Sequence, residues 1–248
     1  MEKVYSRTTG IRKDFVSGFC PGCMHGTVHK FIGEVADELG IADRLVRAEG
    51  VGCCGLGQKY MTADLALSPH GRACAMATGM KRSNPDSIIY TYQGDGDLAS
   101  IGLAETLHAA NRGENITVIF INNGIYGMTG GQMAPTTLLG MKSTTTPKGR
   151  DPETTGYPLH ISEIFSQLMG PYYIERTTLI DPAHALKTKK AIKKAFQNQI
   201  DGKGFSMVEI VTSCPTNWGL DPIKALDFLE NNMLKEYPLG VYRDKDAE

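Results

Sequence analysis

Two polar segments of the sequence have residue types that could act together on a phosphate group. The first reads Gly94-Asp95-Gly96-Asp97 and the second is Asn122-Asn123. The first formally matches the G-x-G-x-x-G/A fingerprint of dinucleotide sites, which places a diphosphate against backbone N–H groups at a helix N-terminus. Two features disagree with that interpretation. The next predicted strand ends without the acid that binds a ribose, and Asp95 would repel a diphosphate in a cleft of low dielectric.

A divalent cation removes this conflict. Mg²⁺ takes oxygen ligands in octahedral geometry and is commonly shared between one or two protein oxygens and substrate phosphates. Asp95 and Asn123 follow neighbouring predicted strands, and open α/β sheets bind ligands at the carboxyl ends of such strands. The alternative is that Asp95 and Asp97 only cap a helix and that 122–124 is only a turn. Since both segments fall in one βαβ unit, we favour a site for Mg²⁺ and a diphosphate.

The cysteines form the second group of residues that could do chemistry. Cys20-Pro-Gly-Cys23 is a C-x-x-C turn, and the other cysteines are Cys53, Cys54, Cys74 and Cys214. By itself the turn fits a zinc half-site, a redox pair or part of an iron-sulfur site. A second C-x-x-C for zinc is missing from the sequence, and the strand that a thioredoxin-like pair needs is poor. Cysteines from distant segments can close around one four-iron, four-sulfur centre.

Composition excludes several partners. The 26 Lys and Arg residues balance 27 Asp and Glu residues, and a net charge of −1 gives no electrostatic reason to bind nucleic acid or an anionic membrane. No apolar run approaches the roughly 18 residues of a membrane span. The first residues lack the apolar segment of a signal peptide, so we expect a soluble, cytoplasmic protein with reduced cysteines.

Periodicity predicts the elements that must position these residues. Helical spacing with a stop at Gly40 predicts a helix over 28–39. Short apolar runs at 87–92 and 116–121 predict central parallel strands, and the segment 98–111 predicts the helix between them. After a long loop at 122–156, the pattern predicts helices near 160–169, 183–199 and 222–234 and strands near 172–177 and 205–211. The expected fold is a doubly wound, mostly parallel α/β sheet, formed by one domain over 1–248 with a helical C-terminal tail.

At this point the residues resemble a known family. The segments GDGDLASIGLAETLHAANRG and NNGIYGMTGGQMAPTT resemble the thiamine diphosphate (TPP) enzymes, and more narrowly the β subunit of the 2-oxoacid:ferredoxin oxidoreductases. The likeness extends from Cys20 to Trp218. It implies that Asp95, Asn123 and the backbone carbonyl of Ile125 bind Mg²⁺. It also implies TPP-binding roles for a further set of residues: Gly94, Gly96, Asp97 and, as a weaker candidate, Thr129.

The resemblance also implies one 4Fe-4S cluster in this subunit. Its ligands would be Cys20, Cys23, Cys53 and Cys214; the choice of Cys53 over Cys54 rests on the family register alone. Cys54 and Cys74 are expected to be buried small residues. Met24 departs from the family pattern Cys-Gly-His, which puts the contacts of His25 in doubt. His70 in Pro69-His-Gly-Arg72 is the candidate catalytic residue near TPP and substrate, against the alternative of a satisfied structural histidine.

The implied activity is oxidative decarboxylation of a 2-oxoacid with coenzyme A to acyl-CoA, CO₂ and reduced ferredoxin. The segments 136–159 and 214–218 look most like subunits for branched-chain 2-oxoacids such as 3-methyl-2-oxobutanoate, with 2-oxoglutarate as the alternative. A non-redox TPP decarboxylase or synthase, and a nucleotide- or zinc-binding module without catalysis, are the alternatives of other classes. The implied partners are an alpha subunit that packs on 122–156 and supplies the catalytic glutamate, gamma and ferredoxin-like delta subunits, and ferredoxin itself.

Overall fold

The computed structural model describes residues 7–14 and 16–247. Its strands are β1 (Leu45–Glu49), β2 (Asp64–Leu67), β3 (Ile88–Gly94), β4 (Thr117–Asn122), β5 (Ile125–Tyr126), β6 (Gln132–Met133), β7 (Tyr173–Thr178), β8 (Ser206–Val211) and β9 (Gly240–Asp244). Its α-helices are α1 (His25–Leu39), α2 (Ala73–Ser83), α3 (Leu103–Asn111), α4 (Pro152–Thr155), α5 (Ile161–Ser166), α6 (Pro182–Ile200), α7 (Pro215–Trp218), α8 (Pro222–Phe228) and α9 (Leu234–Glu236).

Seven strands form one sheet in the order β2-β1-β3-β4-β8-β7-β9. The first six are parallel, and β9 pairs antiparallel with β7 at the edge. The short strands β5 and β6 form a separate antiparallel pair. The predicted doubly wound, mostly parallel fold is confirmed.

Both faces of the sheet are buried. Alternate residues of β4 show the division, since Ile119 and Ile121 pack with α1 and α6, whereas Val118 and Phe120 pack with α2, α3 and α5. Neighbouring side chains of a strand point to opposite faces, so a strand covered on both sides is apolar throughout. This is why the uninterrupted apolar runs at β3 and β4 could be recognised from the sequence.

Helix α1 ends as its sequence predicts. Gly40 adopts a left-handed conformation with φ 64°, and its N–H donates to the carbonyls of Ala36 and Asp37. Glycine reaches this conformation without steric cost, which makes it a common residue after the last turn. The helix predicted over 98–111 differs, because it begins as a π-helical turn at Gly96–Ile101 before α3 continues it.

The expected helical C-terminal tail needs a correction. The segment predicted over 222–234 forms α8, a π-helical turn at Leu229–Met233 and α9. Strand β9 then follows and completes the sheet, so a helix does not close the chain. Within the described residues, no helix is both long and apolar enough to cross a membrane.

Candidate cofactor and cluster sites

The carboxyl ends of four adjacent strands lie at one edge of the sheet. In the sheet order β1-β3-β4-β8, these ends lead into 50–53, 94–97, 122–127 and 212–214 respectively. The pairing of Asn122 with Val211 brings the Asn123 segment beside the Cys214 segment, although they are far apart in the sequence. Sheet topology therefore assembles the candidate residues at the edge where open α/β sheets bind ligands.

Two cavities lie at this edge. The first, here called the aspartate cavity, has a volume of about 200 Å³ and is lined by the Asp95, Asn123 and His70 segments. The second, the cysteine cavity, has a volume of about 270 Å³ and is lined by Cys20, Cys23, Cys53 and Cys214. They share a wall of five residues: His25, Cys53, Asn123, Gly127 and Met128. Whatever fills one cavity is thus a close neighbour of whatever fills the other.

Asp95 lies at the base of the aspartate cavity. Its carboxylate accepts hydrogen bonds from the N–H of Gly96 (2.9 Å), the N–H of Ile125 (3.1 Å) and the hydroxyl of Thr136 (2.9 Å). All three donors are neutral groups. Burial raises the pKa of the Asp95 carboxyl to about 6, and the hydrogen bond from Thr136 opposes that shift. A cation at this position would offset the cost of burying the charge.

The side chains of two predicted Mg²⁺ ligands, Asp95 and Asn123, meet at the backbone N–H of the third, Ile125. Asn123 Oδ1 lies 3.3 Å from the N–H of Ile125, the same group that donates to Asp95. In the described part of the chain, no three His, Cys, Asp or Glu side chains form a metal-binding group. A set of one carboxylate, one amide oxygen and one backbone carbonyl lies outside that pattern. It fits Mg²⁺, which takes its remaining oxygens from phosphates and water.

The two glycines of the Gly-Asp-Gly segment meet different surroundings. A Cβ at Gly96 would lie 1.9 Å from the Tyr126 ring, so this position must be glycine while that ring keeps its place. A Cβ at Gly94 would meet no atom within 4 Å, and Gly94 lines the aspartate cavity. Gly96 therefore serves the packing of the loop, whereas Gly94 leaves space for a ligand.

Asp97 lines the aspartate cavity and also holds the surrounding segments together. Its fully buried carboxylate accepts hydrogen bonds from the N–H groups of Val51 (3.0 Å) and Gly71 (2.8 Å) and from Gln93 Nε2 (2.6 Å). The fourth contact joins Asp97 Oδ1 to His70 Nδ1 at 2.6 Å. Asp97 therefore ties three loops together and orients His70, while lining the aspartate cavity.

His70 and Thr129 lie at the accessible side of the aspartate cavity. The His70 side chain is 38% exposed, and its contact with Asp97 through Nδ1 leaves Nε2 as the ring nitrogen available for a ligand. Thr129 also lines the cavity, but its hydroxyl donates to Gln132 Oε1 at 2.5 Å. The structure thus gives His70 a specific orienting partner, and it gives Thr129 a contact within its own loop.

The four predicted cluster ligands line one cavity, although they come from three distant segments. Cys54 is buried on the side of the aspartate cavity, and Cys74 is buried in α2. Gly127 lies beside two of the four sulfur atoms. A Cβ there would lie 3.1 Å from Cys53 Sγ and 3.7 Å from Cys214 Sγ. Four thiols that line one cavity are the donor set of a four-iron, four-sulfur cluster, and among the described residues no three of them form a site for a single metal ion.

The thiols of the cysteine cavity influence one another. Burial, and to a smaller extent the neighbouring cysteines, raise the pKa of Cys23 to about 12 and that of Cys53 to about 11. Burial also raises the pKa of Cys214. Without a metal these thiols stay protonated at neutral pH. Binding of iron must therefore displace their protons, as is usual when thiolates become metal ligands.

Sequence reasoning missed several residues of the two cavities. Thr136 supports Asp95 from the middle of the predicted long loop, and Asn217 reaches into the cysteine cavity. His25, which had no motif to distinguish it, is buried between the cavities and its Nδ1 lies 2.8 Å from the Tyr92 hydroxyl. Thr136 lies in a loop, and His25 and Asn217 lie in the first turns of helices, so none of them has a periodic signal of its own and the tertiary contacts reveal all three.

Comparison with known proteins agrees with this geometry. Residues 50–210 match the family described as thiamine pyrophosphate enzyme, C-terminal TPP binding domain. The chain is 50% identical over 230 residues to ketoisovalerate oxidoreductase subunit VorA of Methanothermobacter thermautotrophicus, covering 93% of this chain and 48% of the relative. It is 37% identical over 231 residues to 2-oxoglutarate synthase subunit KorB of Methanocaldococcus jannaschii, covering 92% and 80% respectively. The chain thus spans about half the length of VorA.

Solved structures give the same result. The 2-oxoglutarate:ferredoxin oxidoreductase from Magnetococcus marinus, with 2-oxoglutarate, coenzyme A and succinyl-CoA bound, matches with a TM-score of 0.74 at 26% identity. That match covers 94% of this chain and 83% of the other. A thiamine diphosphate-dependent decarboxylase from Rhodococcus jostii, at 17% identity and a TM-score of 0.50, shares the fold alone.

The fold and the family match define the class first, a thiamine pyrophosphate-binding domain. Within that class, the relatives define the group more narrowly. The chain belongs to the 2-oxoacid:ferredoxin oxidoreductase family, alongside the subunits VorA and KorB. The resemblance predicted from the Gly-Asp-Gly and Asn-Asn segments is confirmed.

Proposed function

We propose that this chain is the TPP- and cluster-binding β subunit of a 2-oxoacid:ferredoxin oxidoreductase. The reaction converts a 2-oxoacid, coenzyme A and two oxidised ferredoxins to acyl-CoA, CO₂, two reduced ferredoxins and a proton. One observation carries the proposal: four cysteines line a cavity that shares a wall with the cavity of Asp95 and Asn123. A non-redox TPP decarboxylase has no need for this second cavity.

In this proposal the aspartate cavity holds TPP and Mg²⁺. Asp95, Asn123 and the carbonyl of Ile125 would hold the cation, because the side-chain oxygens of Asp95 and Asn123 both lie at the backbone N–H of Ile125. Gly94 leaves room for the diphosphate. TPP, when bound, supplies an electron sink for the bond between the 2-oxo carbon and the carboxylate. The chain's own part is to bind the cofactor through the metal and to keep its loops fixed through Asp97.

His70 is the residue that we assign to a proton at the reacting centre. Asp97 occupies Nδ1, so the proton that His70 holds or moves toward a ligand is at Nε2. The buried carboxylate also prevents the ring from turning away. The cysteine cavity would hold a 4Fe-4S cluster on Cys20, Cys23, Cys53 and Cys214, and this group accepts electrons singly.

The lining of the aspartate cavity supports a branched-chain substrate. Val51, Ile125, Tyr126 and Met128 contribute apolar surface, and no lysine or arginine lines the cavity among the described residues. A second carboxylate, as in 2-oxoglutarate, would lack a cationic partner on this chain. The ketoisovalerate name of a 50% identical relative points the same way. We therefore propose 3-methyl-2-oxobutanoate, with 2-oxoglutarate as the competing substrate.

We propose that an alpha subunit completes the TPP site and supplies the catalytic glutamate, with gamma and ferredoxin-like delta subunits in the assembled enzyme. Val51 and Met128 support this because they are large apolar residues exposed at the aspartate cavity. Apolar groups exposed in this way are common at surfaces that bind another chain. Since thiols must stay reduced to bind iron, the setting that we propose is the cytoplasm.

The decisive experiment measures both cofactors in the assembled enzyme. Asp95→Ala should abolish Mg²⁺-dependent TPP binding in calorimetry, whereas Asp151→Ala, which removes an exposed helix cap, should leave it unchanged. Cys20→Ala should lower iron and sulfide content, and Cys74→Ala is the matched control. A 2-oxoacid panel with a viologen acceptor then identifies the substrate. Unchanged TPP affinity in Asp95→Ala, or full activity of the isolated chain, would contradict the proposal.

A further inference from the structure

Asn217 is the polar side chain that connects the two cavities. Its Nδ2 atom lies 3.3 Å from Cys214 Sγ and 3.0 Å from the backbone carbonyl of Gly127. An amide nitrogen carries two hydrogens, so one can serve each acceptor. Gly127 belongs to the wall shared by the cavities, and Asn217 itself lines the cysteine cavity. The proposed TPP loop and a proposed cluster ligand are therefore held by one amide group.

The orientation of this amide is fixed by chemistry. The opposite orientation would place the Asn217 carbonyl oxygen against the carbonyl oxygen of Gly127, where two acceptors meet without a proton. With Nδ2 facing Gly127, the second N–H is left for the sulfur. Helix α7 is anchored by a further contact, because Trp218 Nε1 donates to the carbonyl of Asn123 at 3.1 Å. Asn217 is thus held in place from both sides.

We infer that Asn217 is a positioning residue that raises the reduction potential of the cluster by donating an N–H to Cys214 Sγ. The inference rests on the proposed function, since it needs the cluster to be bound through Cys214. An electron added to the cluster increases the negative charge on its sulfur ligands, and an N–H donor stabilises that charge. The reduced state therefore gains more from Asn217 than the oxidised state does.

The higher reduction potential favours electron transfer toward the cluster. A cluster that is easier to reduce accepts electrons more readily from the neighbouring aspartate cavity. The contact with Gly127 keeps this donor at a fixed distance from the loop that lines that cavity. Asn217 would then adjust the reduction potential of the cluster, the first electron acceptor, to that of the cofactor in the aspartate cavity.

The test is an anaerobic redox titration of the assembled enzyme, followed by EPR of the reduced cluster. Asn217→Leu removes the donor at nearly constant volume, and Asn217→Asp replaces it with a charged acceptor. We expect the equilibrium constant for reduction to fall at least tenfold in Asn217→Leu, about 59 mV for a one-electron couple. The equilibrium constant for reduction should fall further in Asn217→Asp. Thr216→Val, in the same cavity, should change the constant less than twofold.

Iron, sulfide and TPP content are measured in each variant before the titration. An unchanged potential in both Asn217 variants with full cluster content would overturn the inference and leave the proposed function intact. Loss of the cluster from both variants, with retention in Thr216→Val, would also overturn it, since Asn217 would then be needed for assembly. Iron-free wild-type enzyme would refute the cluster itself, which is a different failure.

Discussion

The long segment 122–156 is ordered by one buried arginine. The Arg150 guanidinium donates hydrogen bonds to six backbone carbonyls, those of Ala134, Pro135, Thr137, Thr155, Gly156 and Tyr157. Four of these bonds measure 2.6 to 2.9 Å. Arg150 therefore closes the loop onto itself, and the loop carries Thr136, whose hydroxyl supports Asp95.

We predict that Arg150→Ala costs about 3–5 kcal/mol of unfolding free energy. A hydrogen bond from a charged donor contributes about 1.5–3 kcal/mol, so four short ones set a ceiling of about 6–12 kcal/mol. The actual loss is smaller because Gly156 and Tyr157 are exposed and water can replace the guanidinium there. Ala134 and Thr137 are buried, and their carbonyls would lose a partner that water does not easily replace. Arg150→Lys should recover only part of the loss, since an ammonium lacks the planar fork.

Urea unfolding of the chain, together with hydrogen exchange of the peptide 134–157, measures this effect. Exchange should accelerate across 134–157, and Mg²⁺-dependent TPP affinity should fall because Thr136 loses its position. Arg243→Ala is the matched control, because Arg243 also donates to two backbone carbonyls but on the far side of the fold, at Ser166 and Leu168. Normal exchange over 134–157 in Arg150→Ala would refute the assignment of loop order to this residue.

Three further predictions concern the aspartate cavity and the core behind it. Asp97→Ala should lower stability by about 2–4 kcal/mol in urea unfolding, since two buried donors, the Gly71 N–H and Gln93 Nε2, lose their acceptor at about 1–2 kcal/mol each and water can replace it at Val51. Gly94→Ala should weaken TPP binding in calorimetry with little change in stability, whereas Gly96→Ala should destabilise the fold by displacing the Tyr126 ring. Burial holds the pKa of His29 well below 6.5, and the positive charge of Arg47 lowers it in the same direction. Below pH 6.5, His29 therefore binds a proton in the unfolded chain and not in the folded one. Between pH 7.5 and 5.5 this residue should lower the unfolding free energy of wild type by about 1.4 kcal/mol. His29→Leu should abolish that part of the loss.

Much of the fold was predictable because its central strands are apolar on both faces. Strands β3 and β4 lie in the middle of the sheet, and both of their faces are buried. Strand β1 escaped detection because two of its five residues are charged. Arg47 and Glu49 lie on the same face of this strand and pair with each other at 2.5 Å, and both are buried, which charged residues in a sequence rarely indicate. Strand β2 escaped because it is a short, exposed edge strand.

The site was predictable where a residue's type and its strand-end position both carried information. Asp95 and Asn123 needed only the knowledge that neighbouring parallel strands end at one edge. The position of Asp97 was predicted but its contacts were not, since four hydrogen bonds from three loops depend on tertiary structure. Asn217 and Thr136 had no signal at all, because each acts through contacts with segments about 40 to 90 residues away.

The shared wall has a consequence for how the two cavities can be altered. Asn123 turns its side-chain oxygen toward the Asp95 group, while its backbone carbonyl accepts the Trp218 indole N–H beside the cysteine cavity. Gly127 lies between Cys53 and Cys214 without room for a side chain of its own. Pairing of β4 with β8 holds both segments in register up to the point where they enter the wall. A substitution that shifts α7 should therefore move Asn123 as well, so the position of the Asn123 side-chain oxygen in one cavity and that of Cys214 Sγ in the other are coupled in this fold.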